Sequence, residues 1–67
     1  MRALDIGTHV GVINWEHGGL QFEGIIVGYA TVLAVPQKGY TAQFNYVVRP
    51  DNKELGDTIV HPDSVRT

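Results

Sequence analysis

From Phe22 to Val35 the chain runs Phe-Glu-Gly-Ile-Ile-Val-Gly-Tyr-Ala-Thr-Val-Leu-Ala-Val, with a single charge at Glu23. β-Branched and aromatic residues dominate it and two glycines interrupt it, so it reads as extended chain rather than helix. Even positions supply Phe22, Ile26 and Val32; odd positions supply Ile25, Val27, Tyr29, Leu33 and Val35. A strand of an ordinary small antiparallel sheet alternates apolar and polar residues, because one face meets the core and the other meets water. This one is apolar on both faces, as one long strand or two joined by a bend. Gly24 and Gly28 mark a sharp twist, a bulge or a close approach of backbones. A short chain has one core to offer, so the second apolar face is expected to be covered by another copy or a partner.

The 67 residues form one domain, with 1–5 as a lead-in. Domains of this size rarely stand on their core alone and add disulfides, a metal or oligomerisation. The sequence has no cysteine, so disulfides and thiolate metal sites are excluded. Oligomerisation is the remaining device, and a homo-oligomer is expected. The five basic residues, Arg2, Lys38, Arg49, Lys53 and Arg66, are scattered and outnumbered by seven acidic ones. Nucleic-acid binding needs clustered cations that displace phosphate counterions, so a nucleic-acid partner is not expected. Neither a secretory leader nor an uncharged apolar helix of membrane-spanning length is evident, and a cytoplasmic protein with no membrane partner is expected.

Along the chain, 7–14 reads as a first strand with Val10 and Val12 on one face, broken at Trp15–Gly19 by the paired glycines. Pro36-Gln37-Lys38-Gly39 is a turn in which proline presets its dihedral and glycine accepts a positive φ. Tyr40 to Val48 has the cleanest alternation: Tyr40, Ala42, Phe44, Tyr46 and Val48 on one face, Thr41, Gln43 and Asn45 on the other. It is expected to hairpin with the preceding strand and to place Tyr40, Phe44 and Tyr46 in the core. A polar turn over 49–56 leads to a short strand at 57–61. Pro62-Asp63-Ser64-Val65 suits a single 3₁₀ turn before a last stub of strand, because proline fits a first helical turn. The fold class is all-β: a small, partly open SH3-like barrel of four to five strands with one short 3₁₀ turn near the C-terminus.

Chemistry-bearing constellations are sparse. His9, His17 and His61 match no compact ligand spacing, so no metal is expected. Thr8 and Ser64 lack a placed base, and Gly18-Gly19 has no lysine or helix start for an anion. Trp15 stands in a loop beside Glu16, His17 and two glycines, where an aromatic serves either as a contact residue or as a cap on the open end of the barrel. Trp15 and His17 are therefore the candidate partner-binding residues. Ile25, Val27, Tyr29 and Leu33 are the candidate subunit contacts.

The segment from Phe22 to Tyr29 also resembles the W-Q-G-x-I-V-G-W stretch of the trimethoprim-insensitive type II dihydrofolate reductases. Pro36 to Tyr40 resembles their P-E-G-Y turn, and Ile59-Val60-His61-Pro62 stands where their Q-I-Y-P motif lies. The similarity spans about Gly7 to Val65. It implies an SH3-like barrel assembled as a homotetramer around a pore in which folate and NADPH meet, with Val60 and His61 at subunit contacts. The family's pore uses lysine, glutamine, isoleucine and tyrosine. At those positions this chain carries Glu16, Ile59, Val60 and His61, so the catalytic motif is not retained and Glu16 reverses the charge that gathers anionic ligands. The expected function is a non-enzymatic barrel that self-associates and binds a protein or peptide partner, without catalytic residues or cofactor. The alternatives are an NADPH-dependent reductase of the type II kind with an altered pore, and a nucleic-acid-binding barrel.

Overall fold

A computed structural model of the chain describes residues 3–14, 16, 18–34, 39 and 41–67, with the side chains of Ala34 and Thr41 left aside. The turn residues Pro36, Gln37 and Lys38, and Tyr40 beside them, lie outside the described residues. Five strands follow in order: β1 (His9–Ile13), β2 (Leu20–Ala34), β3 (Thr41–Pro50), β4 (Thr58–Val60) and β5 (Val65–Arg66), with a 3₁₀ turn at Pro62–Ser64 between the last two. All pairings are antiparallel and form one open sheet of order β4-β3-β2-β1-β5. This is the all-β, SH3-like arrangement the sequence predicts: a meander of four strands, one 3₁₀ turn, and a last strand returning to β1.

Alternation sets the core. Val10 and Val12 of β1, Ile26 of β2, Tyr46 and Val48 of β3, Val60 of β4 and Val65 of β5 are buried together, with Leu4 and Phe22 packed against them. The 3₁₀ turn closes one end. His61 caps it by accepting the Asp63 N–H on Nδ1 at 3.1 Å, Pro62 occupies the first turn, and the Val65 N–H returns to the Pro62 carbonyl. In the β1–β2 loop, the Gly18 N–H donates to the Asn14 carbonyl at 2.7 Å, and Gly18 adopts φ +69°, turning the chain so that the Asn14 N–H meets the Gly19 carbonyl at 2.8 Å.

The long strand carries the main departure from the sequence reading. Ile26 lies opposite Val48, but the next pair is Gly28 with Val47, so Val27 is the extra residue of a β-bulge. One inserted residue exchanges the faces of everything beyond it. Before the bulge the even positions Phe22 and Ile26 face the core. After it the odd positions Tyr29 and Leu33 share the side of Tyr46 and Ala42, their cross-strand partners. Ile25, Val27, Tyr29 and Leu33 therefore do not share one face. The core-side face of β2 thus takes apolar residues of both parities in turn, although only Phe22 and Ile26 of them pack in the core.

The rest of the two-faced pattern comes from length. β1 pairs with β2 as far as Ile25, and β4 pairs with β3 only from Tyr46 onward. Among the described residues, Gly28–Ala34 and Thr41–Asn45 thus form a two-stranded ribbon with no strand on either edge. The molecule measures 39 × 27 × 25 Å with a radius of gyration of 12.7 Å. A compact chain of this length has about 11 Å.

Candidate binding surfaces

The projecting ribbon is the first surface. On its core-side face, Leu33 is 65% exposed, Tyr29 44% and Phe44 41%; on the other face Val32 is 41% exposed. Phe44 was expected in the core by alternation, yet the ribbon carries it past the edge of the barrel, where no opposing strand covers it. Tyr29, Phe44 and Tyr46 form an aromatic cluster with ring centroids 5.2–5.9 Å apart. Both tyrosine hydroxyls hold Leu4: Tyr29 donates to its carbonyl, and Tyr46 accepts its N–H at 3.0 Å. The lead-in is thereby fixed to the base of the ribbon at Leu4.

A cleft of about 790 Å³ is the second surface. It opens between the β1–β2 loop, which contributes Asn14 and Glu16, and the β3–β4 connection, which contributes Leu55, with Phe22, Ile59 and His61 also on its wall. Asn14 shapes the first loop, its side-chain carbonyl accepting the Glu16 N–H at 2.9 Å. Asn52 does the same for Glu54 at 3.0 Å, and the Arg49 guanidinium spans the second loop to Asp57 at 3.0 and 3.3 Å. Glu16, Ile59, Val60 and His61 all line this one cleft, although they come from opposite ends of the chain.

The candidate residues separate as follows. Trp15 and His17 lie outside the described residues; Glu16, between them in sequence, stands at the cleft. Ile25 is exposed on the side of the sheet away from the core, Val27 is the bulge, and Tyr29 and Leu33 are exposed on the ribbon. Val60 is a core residue, only 7% exposed, facing Tyr46 across the sheet. His61 is exposed. Asn45, assigned to the polar face, is buried opposite Ala30, and its Oδ1 has no hydrogen-bond partner among the described residues. Nothing in the local pattern distinguishes Asn45 from its neighbours Thr41 and Gln43.

His9 and His61 have separate surroundings. The His9 Nε2 lies 2.7 Å from Asp51 Oδ2, joining the start of β1 to the end of β3 across β2. The hydrogen bond to Asp51, then its charge, raise the His9 pKa above its ordinary value of 6.5; Glu23 adds slightly and desolvation opposes. A raised folded-state pKa contributes stability that is fully present below the unfolded value and is lost as pH rises through the folded one. Asp51→Asn is therefore expected to lose stability relative to the parent at pH 5.5 and to match it at pH 8.5. Urea melts at the two pH values check this; an equal deficit at both would contradict it.

Among the described residues no three His, Asp or Glu side chains are grouped to hold a metal ion, and no helix is long and apolar enough to cross a membrane. No protein-family model matches the chain, no curated protein matches it, and no solved structure matches it.

Proposed function

We propose that this chain is a non-enzymatic small barrel that self-associates through the β2–β3 ribbon and binds a protein or peptide partner at the cleft between its loops. The observation that carries this reading is the ribbon itself. A two-stranded hairpin is marginal in water without a third strand or a packed face, and this one exposes Tyr29, Val32 and Leu33 besides two strand edges. The occupant that fits is a second copy. The chain exposes 5047 Å², where a compact monomer of its mass exposes about 4200 Å². A self-complementary ribbon at a two-fold axis would cover its own copy.

Leu33→Asp tests it. Its side chain lies far from the core, so the circular dichroism spectrum is expected to remain that of the parent, while the dissociation constant of the assembly rises at least tenfold. A Leu33→Asp variant that assembles as the parent does would overturn the ribbon as the contact.

The reductase reading is favoured by one observation, the convergence of Glu16, Ile59, Val60 and His61 on a single cleft. It is opposed by their chemistry: the Glu16 carboxylate stands in place of the cation, and the aliphatic Ile59 in place of the amide, that would hold NADPH and folate. Oxidation of NADPH by dihydrofolate above background would promote it over the binding reading.

A further inference from the structure

β4 is the last strand of the sheet, and among the described residues it pairs only with β3. Its other edge is free: among those residues no further backbone hydrogen bond reaches Thr58, Ile59 or Val60. All three line the cleft of about 790 Å³, although successive side chains of a strand point to opposite faces. What three consecutive residues share is the edge, so the cleft opens along the unpaired main chain of β4. We propose that this edge takes up an extended peptide segment carrying a lysine or arginine between β-branched residues, laid into the cleft as a further strand. An open edge presents a row of N–H and C=O groups with which an extended chain can pair, and strand addition is a recurring way of holding peptides.

A strand as short as β4 offers few main-chain bonds, so side chains must supply the rest of the affinity and the selectivity. Phe22, Leu55 and Ile59 give the cleft an apolar wall, with Leu55 48% and Ile59 55% exposed. β-Branched residues suit both that wall and the extended conformation that pairing requires. Glu16 is the only acidic side chain lining the cleft among the described residues, and no lysine or arginine lines it. None of the ion pairs among the described residues involves Glu16. Its carboxylate therefore favours a cation brought by the ligand, and an acidic segment would meet repulsion there.

The proposal rests on the cleft half of the reading above and is independent of the ribbon half, since β4 meets β3 only from Tyr46 onward, beyond the ribbon. The test titrates the full chain with peptides, followed by heteronuclear NMR and by sedimentation. The probes are the capped pentapeptide Thr-Val-Lys-Val-Thr, the same peptide with glutamate for lysine, and two N-methylated forms of the lysine peptide. One form is methylated at the valines, the other at the lysine and threonines. Saturable binding of the lysine peptide is expected, with shifts at the amides of Glu16, Thr58, Ile59 and Val60. The glutamate peptide is expected to bind about fivefold more weakly, as suits an exposed charge contact. One N-methylated form is expected to bind about tenfold more weakly or worse and the other close to the parent, because a strand turns alternate N–H groups to its neighbour. Glu16→Gln, which keeps the shape of the side chain, is expected to bring the lysine and glutamate peptides within about twofold of each other. Two N-methylated forms that both bind as well as the parent would overturn strand addition and leave the cleft a binding site. A glutamate peptide that binds as well as the lysine peptide would overturn the basic preference. No saturable binding of any peptide at millimolar concentration would overturn the cleft reading as well. A lysine peptide that dissolves the assembly would put a second copy on this edge, and would overturn the proposal too.

Discussion

Ile26→Ala is expected to remove most of the stability of this domain, by about 2–5 kcal/mol. Ile26 is fully buried, lies opposite Val48, and stands one residue before the bulge, where β2 passes from the barrel into the ribbon. Its truncation leaves a void among Val10, Val48 and their neighbours, which the paired strands on both sides of β2 cannot collapse to fill. A core in a chain this short rarely supplies more than about 3–5 kcal/mol, so a measurable unfolded fraction is expected at 25 °C without denaturant. Ile26→Val should cost only about 0.5–1.5 kcal/mol and keep a complete urea transition. Chemical denaturation followed by circular dichroism compares the two. Because assembly would add stability by mass action, the melts need equal and low protein concentrations. A loss under 1 kcal/mol for Ile26→Ala would show that the barrel core is not where the structure places it.

The second large effect is expected at Gly24, and it arises from excess volume rather than from a void. Gly24 sits in the central strand between Val10 of β1 and Pro50 of β3. A Cβ there would strike the Arg49 carbonyl oxygen, and would stand 2.8 Å from the Arg49 carbonyl carbon and 2.9 Å from Pro50 Cα. All three are backbone atoms of a paired strand, so no rotamer change relieves the clash. β3 must move as a unit, breaking the register that aligns Val48 with Ile26. Overpacking of a core costs about 1–3 kcal/mol when side chains can adjust; Gly24→Ala belongs at or beyond the upper end. Gly28 makes the control, because a Cβ there meets nothing within 4 Å. Gly28→Ala is expected to cost far less in the same melts. Equal costs at the two glycines would refute the close approach of β3 at Gly24.

Much of this architecture could be read from the chain. Val10 and Val12, and Tyr46 and Val48, alternate as strand residues with one buried side, and Pro62 before Asp63 and Ser64 signalled the 3₁₀ turn. Gly24 and Gly28 were legible as marks of close approach or a bulge, and they became one of each. The bulge's consequence was not legible. The parity rule carries no information about where a residue is inserted, so Ile25, Val27, Tyr29 and Leu33 read as one face when β2 changes faces among them. Phe44 was misplaced for a related reason: alternation tells which side a residue takes, not whether another strand reaches that far to cover it. Val60, which the resemblance implies at a subunit contact, is a core residue of the single chain, only 7% exposed.

The account depends on the uncovered β2–β3 ribbon being a contact between copies. Sedimentation equilibrium of the unmodified chain across a hundredfold concentration range tests this without any variant. The expected result is a mass at a small whole multiple of 7.4 kDa, falling toward that value only on dilution. A folded species at 7.4 kDa throughout the range would contradict it.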